Sequence, residues 1–289
     1  MKCIIEYLNE LFNIDNETSA TIVITLTVFI LGFMITWFIN ALRKFFDRRR
    51  TRRLFFDLLK EIDRTALRQS YNFFEFGKKL TIEYQDIFEL DKSPINHLDN
   101  ISHLSINSLH EAFFIGFENL WCRKIRQKAF NKIWIHISAL TYWEQQYPND
   151  LKEFINKFNN YEDKRNEELE NWRKVSEELI FQVRQQGATG LHLEYFTRYD
   201  RIVYGWQTAG QNTHYFTVQR DLIEPLRLLN RDFHDLPVVL VLNNPLLGVT
   251  NYYENLVSTL RVYNRQFNSL GISYKNSSKI IAKGLQILK

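Results

Sequence analysis

The residues that could do chemistry are few. The histidines are His97, His103, His110, His136, His192, His214 and His234. His103 and His110 stand at i, i+7 and would share one helix face, whereas a zinc site asks for i, i+4 spacing or a clear third ligand. They read as polar histidines on a partly buried helix, and neither a metal nor another cofactor is expected. Cys3 and Cys122 sit in no CxxC or comparable ligand spacing. There is no GxxxxGK[ST], no GxGxxG after a strand and no GxSxG elbow, so nothing points to a P-loop ATPase, a Rossmann enzyme or a serine hydrolase. The densest functional cluster is basic: Arg43, Lys44, Arg48, Arg49, Arg50, Arg52 and Arg53. It reads as a contact for anionic lipid, each charge near the surface contributing about 1 kcal/mol. Phe45, Phe46, Phe55 and Phe56 are expected to meet the headgroups beside it.

A second candidate is the run from Arg227 to His234, an arginine followed by six residues and a histidine. On a helix of an all-α body this pattern resembles the R-x4-6-H motif of HEPN ribonucleases. That resemblance implies an Arg–His pair which, joined across a dimer, cleaves RNA without a metal. Leu228 stands where the family usually has a polar residue, and only two of eight residues define the match. Ordinary helix chemistry accounts for both side chains: Arg227 covers a helix face, and His234 lies near the turn before Pro237. No catalytic residue is therefore expected, and the chain reads as a non-enzyme.

What positions these residues is one stretch, Ala20 to Leu42, which holds no Asp, Glu, Lys, Arg or His. At about 1.5 Å per residue it makes a helix roughly 35 Å long, enough to cross a bilayer core with some tilt. The run is longer than a signal-peptide core, is preceded by acids, and is followed by no A-x-A-like site, so it reads as an uncleaved signal anchor. The basic cluster behind it stays in the cytoplasm. The expectation is a single-pass protein of the inner membrane with its N-terminus outside. Residues 1–19 would form a short external amphipathic segment on Ile4, Ile5, Leu8, Leu11 and Phe12. Residues 20–42 would span, residues 43–53 would form the basic juxtamembrane segment, and residues 54–289 would form one cytoplasmic all-α domain.

The composition fits this plan. A mean hydropathy of −0.31 suits one span attached to a water-soluble body, and 15 % aromatic residues allow a sizeable core. The net charge of +4 sits largely in the juxtamembrane cluster, so nucleic acid is not an expected partner. Cys3 and Cys122 would lie on opposite sides of the membrane, which excludes a disulfide between them.

Beyond the anchor the chain reads as helix after helix. Leu54, Phe55, Leu58, Leu59, Ile62 and Ala66 carry the anchor helix onward. Ser93-Pro94 is expected to cap a helix from Ile95 to about Trp121. A second helix from Ile125 is expected to end before Pro148, and a third, from Leu151, to end at Gly187 and Gly190. Phe216 to Phe233 reads as a helix bent at Pro225. Leu236 to Leu242 reads as loop or buried helix, and Asn244-Pro245 is expected to open a helix that Gly271 closes. On the last helix Lys275, Lys279 and Lys283 are expected to face solvent while the apolar side packs on the body.

Small and hydroxylated residues gather on one side of the span: Thr21, Thr25, Gly32 and Thr36, with Asn40 near the inner end. Such a stripe suits close helix packing or a water-facing ring, so a homo-oligomer and a pore are expected. Three function classes follow. The first is a self-associating membrane effector whose helical domain senses a signal and whose spans cluster to perturb or permeabilise the membrane. Bacterial antiviral and abortive-infection proteins share that outline, an analogy of architecture. The second is an anchored HEPN-like ribonuclease. The third is an adaptor or scaffold that holds a soluble protein partner at the membrane.

Overall fold

A computed structural model of the chain describes residue 7 and residues 16–84, 86–115, 123–208 and 214–289. The N-terminal amphipathic stretch around Ile4 to Phe12 (Tyr7 aside), Cys3, Cys122 and Gly210 lie outside the described residues. Among the described residues the chain is all-helical, without a strand. The elements are α1 (Asn16–Lys79), α2 (His97–Ser102), α3 (Ile106–Phe114), α4 (Arg123–Gln186), α5 (Leu191–Thr208), α6 (Tyr215–Val218), a π-helical turn (Gln219–Ile223), α7 (Glu224–Asp232) and α8 (Pro237–Leu288). The chain divides into two compact units, one of residues 1–61, 99–132 and 283–289, the other of residues 62–98 and 133–282.

α1 runs for 64 residues because no proline interrupts it, and its charges suit the helix dipole, with Glu17 in the first turn and Lys78 and Lys79 in the last. The apolar run therefore does continue as one long helix. In the first unit, the buried Phe55 ring packs on Phe113 at 5.4 Å and stacks on Phe130 at 5.7 Å. Phe56 meets the edge of Phe113 at 5.6 Å. Phe55 belongs to a protein core, and half-buried Phe56 packs at its edge, whereas the sequence reading has both meeting headgroups, a correction to that reading. The signal that misled it was their closeness in sequence to the basic cluster. Phe45 and Phe46 are exposed.

In the second unit, Phe73, Phe76, Phe154 and Phe267 form an aromatic core, with Phe76 and Phe267 4.9 Å apart edge to face. A second cluster joins Trp172, Tyr195, Tyr199, Leu222, Leu226, Val239 and Leu242. Each fully buried ring or large aliphatic side chain contributes about 1.5–3 kcal/mol.

Several helix ends differ from expectation, for one physical reason. α4 runs through Pro148 and α8 through Pro245. A proline removes one backbone donor and crowds the preceding turn. Here the apolar stripe continues across each break. Leu140, Tyr147, Leu151, Phe154 and Phe158 are all buried along α4, as are Leu242, Leu246 and Val249 along α8, and that packing holds the helix together. Gly271 likewise lies inside α8 instead of closing it. A β-carbon there would stand 3.0 Å from the Phe74 ring, and the Ser70 hydroxyl donates to the Gly271 carbonyl at 2.7 Å. The glycine serves close helix approach. Ser93 is not a helix cap: its N–H donates to Gln69 Oε1 at 2.6 Å and its hydroxyl accepts from Asn72 Nδ2 at 3.0 Å. Among the described residues no single helix runs on from Ile95; α2 and α3 are two short pieces, and Ser105 caps the second by accepting from the Ser108 N–H. Gly187 and Gly190 do end α4, with φ of 74° and 59°. In the helix expected from Phe216 to Phe233, a π-helical turn, Gln219–Ile223, stands just before Pro225. Leu236 to Leu242 leads into the first turns of α8, with Leu236, Val238, Val239 and Leu242 buried and Leu240 and Val241 exposed.

Candidate functional site

The first candidate is the span. α1 is long and apolar enough to cross a membrane. From Ile24 to Leu42 its large side chains stand open on every side, Phe29 at 71 % and Trp37 at 65 % exposed. Such a surface is uncovered apolar area far beyond what a chain in water leaves bare. The stripe of Thr21, Thr25, Gly32, Thr36 and Asn40 lies on this exposed helix. Thr21 donates to the Glu17 carbonyl at 2.9 Å, Thr25 to Thr21 at 2.7 Å and Thr36 to Gly32 at 2.8 Å. Thr27, on another side of the helix, does the same to Val23 at 2.7 Å. The hydroxyl protons are thus satisfied within the helix. What distinguishes the stripe is small volume and open space: nothing lies within 4 Å of a β-carbon built on Gly32.

The basic cluster is not uniform. Arg52 donates from Nε to the Ala112 carbonyl and holds its guanidinium 5.9 Å over the Phe113 ring. It is half-buried, as is Arg48. Arg43, Lys44, Arg49, Arg50 and Arg53 are exposed, and none has a carboxylate within ion-pair distance among the described residues. These five, rather than all seven, present free positive charge.

Arg227 and His234 line one cleft of about 560 Å³, together with Glu224, Asn230 and Arg231. Arg227 lies on α7, and His234 just beyond its end. His234 Nδ1 is 3.2 Å from the Arg231 carbonyl, which can only accept. Nε2 lies 3.3 Å from the Asp235 carboxylate, on a side chain 73 % exposed. Asn230, at the buried back of the cleft, accepts from the Tyr195 hydroxyl at 2.9 Å. The imidazole is held by its own chain and not by a buried carboxylate of the kind that orients a general base. Leu228 is exposed. His103 and His110 fall on either side of the break between α2 and α3, so they share no helix face. No group of three potential metal ligands occurs among the described residues.

A further constellation carries no sequence motif at all. Arg165, on α4, is 1 % exposed. Its Nη1 donates to Asn166 Oδ1 at 3.0 Å and its Nη2 reaches the Tyr215 carbonyl at 3.5 Å. Its Nε has no acceptor among the described residues. Burial pushes its pKa down to about 10, against the opposing pull of Glu162. Burial also holds the Glu162 carboxyl above its ordinary range, with Arg165 acting the other way. Arg165 lines a cleft of about 450 Å³ together with Trp172 and Trp206, and both indole N–H groups are buried without a partner among the described residues. In the sequence Arg165 sits in a run of Glu, Lys, Asn and Arg that looks like a solvated face, which is why spacing alone passes over it.

Compared with protein-family models, curated proteins and solved structures, the chain shows no match to any of them.

Proposed function

We propose that the chain is a single-pass membrane protein of the inner membrane, with its N-terminus outside and its helical body in the cytoplasm. Its spans self-associate, and their clustering, governed by the body, perturbs or permeabilises the membrane. The observation that carries this reading is the apolar surface of α1, open on all sides from Ile24 to Leu42. In water each such side chain forgoes about 1.5–3 kcal/mol of burial, which lipid or a second helix supplies. The five exposed cations that follow favour the cytoplasmic, anionic leaflet. Open space at Gly32 and small volume along Thr21, Thr25 and Thr36 favour close approach of a second copy.

The experiment is crosslinking of the full chain in anionic vesicles, with dye release measured in parallel. Gly32→Leu and Thr25→Leu should weaken both oligomers and release, while Ile30→Leu should change neither. Unchanged oligomers in both stripe variants overturn the self-association. A membrane-impermeant thiol label on intact cells should reach Cys3 and spare Cys122; the reverse pattern overturns the orientation.

One observation favours a second reading, an anchored ribonuclease resembling the HEPN enzymes: Arg227 and His234 line the same cleft. RNA cleavage by the purified chain, lost in His234→Ala, would establish it. The membrane reading is preferred because the carboxylate beside His234, Asp235, is exposed and not buried as an orienting partner would be.

A further inference from the structure

The geometry points to a binding site for a small organic anion in the Arg165 cleft: its acceptor-rich head group meets Arg165, Trp172 and Trp206, and its apolar body lies along Leu169, Val218 and Leu222. Three observations converge. Arg165 and Trp172 are 1 % and 5 % exposed, and a buried donor left without an acceptor costs about 1–3 kcal/mol, more when charged. Among the described residues the Arg165 Nε and both indole N–H groups lack acceptors, and all three belong to side chains on the wall of one cleft. Folds seldom leave three such donors together, so the site is arranged for something that accepts hydrogen bonds.

The charges around the cleft favour an anion over a neutral acceptor. Glu170, on the rim, is already occupied by Arg173 at 2.9 Å. Glu162 makes no ion pair with Arg165 within 4.0 Å among the described residues, and burial holds its carboxyl above its ordinary range. A buried guanidinium with no carboxylate within ion-pair distance is stabilised most by an anionic guest. The indole and aliphatic surfaces suit a planar or apolar body. This site is independent of the membrane reading and of the Arg227–His234 cleft.

The test uses the full chain in a neutral maltoside detergent, titrated calorimetrically with phenyl phosphate, benzoate and phenol. Phenyl phosphate or benzoate should bind saturably and phenol should not; which of the two binds more tightly separates a phosphoryl from a carboxylate head. Trp206→Phe and Trp172→Phe keep a ring and remove one donor each. Each should weaken binding about tenfold, the loss of one hydrogen bond to a charged group. Arg165→Met should abolish binding; should it fail to fold, the two Trp→Phe variants still decide. Absence of binding by both anions up to about 10 mM, a Kd weaker than any functional pocket of this kind needs, overturns the proposal. So does equal binding of phenol, or wild-type affinity in both Trp→Phe variants.

Discussion

The Tyr274 hydroxyl donates a 3.0 Å hydrogen bond to Glu144 Oε1 inside the helical core of the second unit. Burial raises the Glu144 carboxyl above its ordinary range, and the Tyr274 bond and a backbone bond from Ile95 only partly offset that. The sign of the consequence is fixed. As pH rises through the ordinary carboxyl range, the unfolded chain releases this proton while the folded chain keeps it. Stability is therefore fully present below that range and falls until the raised pKa is passed. Glu144→Gln keeps an acceptor for Tyr274 and removes the titration. Thermal unfolding of the variant should match the wild type at about pH 4 and exceed it increasingly toward neutral pH. A constant difference across pH would refute the assignment.

Within the basic cluster, neighbouring arginines should behave oppositely. Arg52→Ala removes the bond to the Ala112 carbonyl and the contact with Phe113, and should cost about 1–3 kcal/mol of stability. Arg53→Ala, at an exposed position, should leave stability within about 0.5 kcal/mol. It should lower affinity for anionic vesicles about fivefold, the loss of one surface charge. Unfolding curves and vesicle sedimentation distinguish the two.

Two glycines inside helices should also part company. Gly271→Ala pushes a methyl to 3.0 Å from the Phe74 ring and should destabilise by about 1–3 kcal/mol. Gly205→Ala, on α5 with nothing within 4 Å, should stabilise by about 0.5–1 kcal/mol through helix propensity. Chemical denaturation of both variants is the measurement, and a stabilising Gly271→Ala would show that the two helices do not approach as described.

Arg227→Ala and His234→Ala should leave cellular activity intact and stability within about 0.5 kcal/mol, as expected for exposed side chains. Loss of activity together with RNA cleavage in either folded variant would put the ribonuclease reading in place of the membrane effector.

The sequence by itself determined the helical class and the long apolar run, because both depend on local composition. A charge-free stretch followed by arginines needs no tertiary context to be recognised, and periodic apolar residues mark helices wherever they fall. The glycine pair at Gly187 and Gly190 was legible for the same reason, since the backbone conformation belongs to the residue. Only the tertiary structure decided where α4 and α8 end, because Pro148, Pro245 and Gly271 are local breakers overruled by buried side chains distant in sequence. It likewise packed buried Phe55 and half-buried Arg52 against Phe113, a partner some sixty residues on. Arg165 is the clearest case. Its neighbours in sequence are charged and solvated, its neighbours in space are Trp172, Tyr215 and Leu222, and burial is a property of the latter alone.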